Sequence, residues 1–179
     1  RRQSHDPSAH APESIGGSYD MTQSPATGAT RDLYRHFIDG WNHRDVRAIT
    51  ATLASDAVII GFDGGLMHGP AELGQTFGLI FAEHQPHRFV TIERSITVLA
   101  PTVARYVGDV GFVAPGEAEI VESLNARQVM IAVLRDKGWK ISLLQTTPAT
   151  LHGQPGLHLA LSEELREMAR RQMPGLPAG

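Results

Sequence analysis

The chain has no cysteine in 179 residues. That absence excludes a disulfide scaffold, thiolate-ligated metals, iron–sulfur clusters and a cysteine nucleophile, and it leaves the redox compartment open. Long apolar runs are missing too. None approaches the ~20 consecutive residues of a membrane-spanning helix, and the longest are strand-length pieces such as Ala57 to Ile60. Neither sign of charge prevails, with 16 Lys and Arg against 19 Asp and Glu. The basic residues are scattered among acids, without the basic face of a nucleic-acid binder. No G-x-S-x-G nucleophile elbow occurs. The glycines at Gly61, Gly64 and Gly65 do not make a dinucleotide fingerprint, and no P-loop or flavin signature appears. These absences predict a cytoplasmic protein that meets neither nucleic acid nor membrane, holds no metal or other cofactor, and acts on a small molecule or a protein partner. The sequence starts without Met, so a processed, exported form stays open.

The 41% of hydrophobic residues suit one ordinary domain, which at this length buries roughly 70% of the surface its unfolded chain exposes. Residues 1–29 are rich in Ser, Pro, Gly, Ala and Thr; they offer too little apolar burial to offset their ordering entropy and read as a disordered tail. Order is expected from Thr30, an N-cap candidate, because Leu33, Phe37 and Trp41 recur at helical spacing with Tyr34 and Ile38 beside them. Asp45 then caps a short helix carrying Val46, Ile49 and Leu53. A strand from Val58 to Phe62 turns at Asp63-Gly64-Gly65 and returns through Leu66 to His68. Gly69-Pro70 opens a third helix with Leu73, Phe77, Ile80 and Phe81 on its stripe.

From Phe89 the period changes to two. A strand runs to Ala100, its partner runs from Val103 to Val107, and Phe112 to Glu119 reads as a loop. The strongest hairpin joins Ala126–Arg135 to Trp139–Thr147 through Asp136-Lys137-Gly138. A type I turn with Gly138 left-handed pairs Arg135 with Trp139, hence Val133 with Ile141, Ile131 with Leu143, Val129 with Gln145 and Arg127 with Thr147. This face is apolar from Trp139 inward, polar at its far end, and expected to face the interior. Pro148 ends the sheet. Residues 149–179 form an extension whose amphipathic helix carries Leu161, Leu165 and Met168.

The order of elements is α+β with a strongly curved sheet. The stretches Trp41-Asn42-His43-Arg44-Asp45, Ala54-Ser55-Asp56-Ala57-Val58, Asp63-Gly64, His68-Gly69, Gly138-Trp139-Lys140-Ile141 and Gln145-Thr146-Thr147-Pro148 resemble the nuclear transport factor 2-like superfamily, within it the SnoaL-like and SgcJ/EcaC-type branches. The resemblance covers residues 30–148. It implies a cone-shaped, curved antiparallel sheet packed against about three N-terminal helices, an apolar cavity and a homodimer, with the C-terminal helix as an extra element. Its members include isomerases, cyclases and epoxide hydrolases beside proteins that only bind, so the fold does not fix the chemistry. In ketosteroid-isomerase-like members a first-helix Tyr and a carboxylate after the first strand move the proton; the matching positions here hold Phe37 and Gly61. The oxidoreductase label often attached to the SgcJ/EcaC branch has no residue basis in this sequence.

Asp63, two residues past Gly61, is the remaining carboxylate candidate, and His68 at the expected cavity mouth is a candidate proton relay. Arg127 is the leading ligand-binding candidate, because an unpaired guanidinium on an apolar face is costly. The structural alternative is a strand-end Arg reaching solvent or an internal acid. Gln145 and Thr147 share its surroundings and would complete a polar end to a greasy cavity. Trp41 and Tyr106 are candidate walls. Core packing already explains the spacing of Trp41 with Phe37 and Leu33, and Tyr106 rather than Arg105 is expected to face inward. Glu83-His84-Gln85-Pro86-His87 is no metal site by this reading, since no helix aligns its histidines and no fourth ligand is evident. Asp56 reads as a structural cap.

These readings converge on a small-molecule pocket protein, catalysing cofactor-independent isomerisation, cyclisation or hydrolysis of a largely apolar, polyketide-like metabolite. The alternatives are a non-catalytic binding protein and an interaction module docking through its C-terminal helix.

Overall fold

A computed structural model describes residues 24–173. The expected tail therefore lies outside the described residues up to position 23, and so does the chain end beyond 173. Helix α1 (Pro25–Asn42) begins ahead of Thr30: Ser24 is its N-cap, accepting from the Thr27 amide, and Pro25 follows at a position suited to proline. The tail reading is corrected for residues 25–29, which are helical. Thr30 is an interior residue, buried, with its hydroxyl donating to the Ala26 carbonyl at 2.7 Å. Asp45 caps α2 (Val46–Ala51) through the Ala48 amide.

Strand β1 (Leu53–Ile60) starts before Val58, because Leu53 already pairs with Ile141. The hairpin mate β2 (Leu66–His68) and α3 (Gly69–Glu83) follow as expected. Next come β3 (Arg88–Ala100), β4 (Val103–Val113), β5 (Ala126–Arg135), β6 (Gly138–Pro148) and α4 (Pro155–Gln172). The strands form one sheet in the order β2-β1-β6-β5-β4-β3. Pairing is antiparallel except between β1 and β6. Register breaks in the β3–β4, β5–β6 and β1–β6 pairs bend the strands and let the sheet curl.

Strand β4 continues past Val107 through Gly108 and Gly111, which interrupt the apolar pattern but not the ladder. Gly108 sits where a side chain has no room, and Gly111 where one would be tight. A Cβ at Gly108 would lie 2.5 Å from the Tyr106 hydroxyl and 2.8 Å from the Ile92 carbonyl, and one at Gly111 would lie 3.2 Å from Ile120.

The β5–β6 hairpin differs from expectation at its tip. Arg135 pairs with Gly138 and Ala132 with Ile141, so Val133 opposes Lys140. A bulge at Ser142 then restores the expected pairs Ile131–Leu143, Val129–Gln145 and Arg127–Thr147. The orientation is inverted, however. Ala126, Gln128, Met130 and Leu144 are buried, while Arg127, Gln145 and Thr147 are exposed on the other face.

The main core lies between α1–α3 and the inner face of the sheet, with Tyr34, Phe37, Ile49, Leu73, Tyr106 and Met130 among its members. A second core lies on the outer face, where Leu161, Leu165 and Ala169 of α4 pack on Val90, Val113 and Ile120. No described helix is long and apolar enough to cross a membrane.

Candidate functional site

Between the helices and the inner face lies a cavity of about 410 Å³, within the size range of small-molecule pockets. Its walls are apolar: Phe37 and Trp41 from α1, Phe77 and Ile80 from α3, and Phe89 and Phe112 from β3 and β4. Trp41 is fixed by its indole N–H, which donates to the His87 carbonyl at 2.8 Å, and by stacking on Phe89 at 4.8 Å. Phe77 meets it edge-on at 5.0 Å.

The polar groups of the sheet wall are neutral. Gln128 and Thr146 pair across β5 and β6 and both line the cavity. The Tyr34 hydroxyl donates to Gln128 Oε1 at 2.6 Å, and Gln128 Nε2 donates to Thr146 Oγ1 at 3.0 Å. As an acceptor from Gln128, Thr146 keeps its own hydroxyl proton as a donor, and the Gln128 amide keeps a second N–H. Burial pushes the Tyr34 phenol well above its ordinary range, reinforced by Tyr106 and Asp109. Burial likewise raises Tyr106, whose ring stacks on Tyr34 at 3.9 Å. Tyr34 therefore stays protonated across the physiological range and holds the Gln128 amide in one orientation.

Among the described residues, carboxylates occur only at the rim of the lining, at Asp63 and Glu72, both exposed. Asp63 Oδ1 accepts from the Gly65 amide at 2.9 Å, inside a turn closed by Gly61 N–H to the Gly65 carbonyl. Glu72 Oε2 accepts from the His68 amide at 2.8 Å. Phe37 and Gly61 line the cavity, so the two places where the resemblance implies proton-transfer groups carry none.

A model of the SnoaL-like domain matches residues 31–146. The chain belongs to the SnoaL-like domain family. No curated protein matches it. Among solved structures, a domain of unknown function with a cystatin-like fold from Nostoc punctiforme is 22% identical, with a TM-score of 0.67 over 84% of this chain and 93% of that one. A ketosteroid isomerase-like protein from Erwinia carotovora is 12% identical, with a TM-score of 0.58 over 72% of this chain and 99% of that one. A hexachlorocyclohexane dehydrochlorinase from Novosphingobium barchaimii is 20% identical, with a TM-score of 0.55 over 69% of this chain and 86% of that one. At these identities the likeness concerns the fold.

Within this SnoaL-like frame the expected residues divide. Trp41 and Asp63 line the cavity. Tyr106 faces inward as expected but lies behind Tyr34, outside the lining, a correction to its role as a wall. His68 is also corrected. It is exposed at the α3 N-terminus and outside the lining, which Leu66 and Met67 of the same strand enter instead.

Arg127, Gln145 and Thr147 are corrected together by the inverted face. Arg127 Nε donates to Asp109 Oδ1 at 2.7 Å. Asp109 has no solvent exposure and also accepts from Arg94 Nε at 2.5 Å. Arg94 in turn reaches Glu164 of α4 at 2.7 Å. Among the described residues, the Gln145 side chain hydrogen-bonds only to Thr147, at 3.4 Å. Gln128, Thr146, Tyr34 and Glu72 are the site residues that sequence reasoning missed. The signal for the first two was present, since any register pairing Arg127 with Thr147 also pairs Gln128 with Thr146 on the opposite face.

Among the described residues, no group of three or more His, Asp or Glu is placed to hold a metal ion.

Proposed function

We propose that this SnoaL-like protein binds a neutral, largely apolar, ring-bearing molecule, with a ligand carbonyl or ether oxygen accepting from Thr146 and Gln128. The observation that carries this reading is the neutral donor pair on an otherwise apolar wall, braced by Tyr34. A charged ligand head would lack a counter-charge there and would lose its hydration. Polyketide-like metabolites fall in this chemical class.

The test is displacement of the neutral fluorophore N-phenyl-naphthylamine. Tetralone, which has a carbonyl, should displace it better than naphthalene from the wild type. Thr146→Val should remove about 1 kcal/mol of that preference, roughly fivefold, while leaving naphthalene unchanged. Equal loss for both ligands would contradict the donor role.

A second reading, proton transfer at Asp63, is favoured by one observation: Asp63 lines the cavity and the Gly65 amide engages its Oδ1 alone. A carboxylate there and donors at Thr146 and Gln128 would together suit proton abstraction next to a carbonyl. Exchange of the α-protons of tetralone in deuterated water reads this directly. Catalysis predicts acceleration by the wild type that is lost in Asp63→Asn; no acceleration leaves binding as the activity.

We also propose a homodimer through the outer face, where Val107, Val129 and Leu143 are half-buried side by side. Sedimentation equilibrium of Val129→Lys beside the wild type checks it: a dimer that the variant converts to monomer is expected, and a monomeric wild type contradicts it.

A further inference from the structure

Trp41 borders a second, smaller hollow of about 180 Å³, formed by Asn42, Arg44, His87 and Arg88 and the Pro115-Gly116 turn. Among the described residues no Asp or Glu lines it. Among the described residues neither Arg44 nor Arg88 forms an ion pair. Arg88 has only a long contact, 3.4 Å, from Nη2 to the Glu117 carbonyl. Two guanidiniums thus share one concave site without a counter-charge among the described residues.

The backbone at Arg44 points the same way. Its φ of 56° is left-handed, in the turn where the Asp45 amide bonds back to the Gly40 carbonyl at 2.8 Å and ends α1. Helix ends of this kind favour Gly or Asn, because a Cβ is strained there. Strain retained beside an unpaired charge directs attention to a ligand.

We infer that Arg44, His87 and Arg88 form a binding site for a phosphate monoester, separate from the apolar cavity and independent of what that cavity holds. Two guanidinium forks match the charge of a phosphate dianion and can each offer it parallel N–H donors, whereas a carboxylate would leave one positive charge over. At about 30 Å³ per water, the hollow holds a phosphoryl group and its first ester atoms, with the remainder of the ligand in solvent.

The test titrates inorganic phosphate, phenyl phosphate and benzoate into nitrogen-labelled full chain at constant ionic strength. The two tryptophan indole N–H resonances are followed. The Trp41 indole, bonded to the His87 carbonyl, should shift saturably with phenyl phosphate while Trp139 does not. Arg44→Gly and Arg88→Gln should each weaken binding by about tenfold. Arg44→Gly relieves the left-handed strain, so its melting temperature should hold or rise, which separates lost binding from lost folding. A response that never saturates, wild-type affinity retained in both variants, or benzoate binding as tightly as phenyl phosphate would overturn the site. Binding of inorganic phosphate without phenyl phosphate would overturn the monoester assignment.

Discussion

A carboxylate without solvent exposure needs counter-charge, and Asp109 has two guanidiniums, from Arg94 on β3 and Arg127 on β5. Their side chains are 35% and 51% exposed, so each pair alone is worth little, below about 1 kcal/mol. Removing both is different, because the buried charge is then uncompensated, a situation that costs about 3–5 kcal/mol. Arg94→Met and Arg127→Met should therefore each be mild, and the double variant far worse than their sum, in urea unfolding. Ligand displacement from the cavity should be unchanged in Arg127→Met. An additive double variant would mean that water reaches Asp109. That Arg127 needed a partner was legible in the sequence; which partner was not. Gly108 and Gly111 cut the β4 pattern at Val107, and with it vanished the Asp109–Arg127 pair that the full ladder makes obvious.

Among the elements, α4 shows how packing decides what pattern leaves open. The stripe Leu161, Leu165 and Met168 marks an amphipathic helix and is compatible with a partner protein or with its own domain. The structure seats it on the outer face of β3 and β4, where Leu165 is fully buried. Buried Asn125 donates to Ser162 at 2.9 Å, and Arg166 pairs with Glu122. Leu165→Ala should accordingly cost about 2–5 kcal/mol in chemical denaturation. A loss under about 1 kcal/mol would mean that α4 docks loosely and that the interaction-module reading stands. The start of α1 lies earlier than composition suggests for a related reason: Thr27 sits in a stretch that reads as tail and Thr30 at the expected cap, yet both are buried. The β5–β6 hairpin was legible in register over its inner half because two departures cancel, a shorter turn and the Ser142 bulge. Its facing was not legible. Val129, Ile131 and Leu143 on one side and Met130, Ala132 and Leu144 on the other are equally apolar, so alternation cannot say which side meets the helices.

At the scale of the whole molecule, the curved sheet has two occupied faces with different tasks. The outer face carries α4 and the Asp109 ion pairs; the inner face carries the cavity, its aromatic walls and the Tyr34–Gln128–Thr146 chain. The fold and the existence of a cavity were legible through short stretches in the right order, above all Trp41 to Asp45 and Gly138 to Ile141. Which polar groups face the cavity was not, since that depends on the parity of two strands. Neighbours in one strand make that parity testable, because Leu144 lines the cavity while Leu143 points outward. The most direct measurement is the set of nuclear Overhauser contacts between bound N-phenyl-naphthylamine and the assigned leucine methyls of the protein. Contacts to Leu144 and none to Leu143 are predicted. Contacts to Leu143, with Leu144 silent, would place the ligand on the Arg127 face and contradict the account.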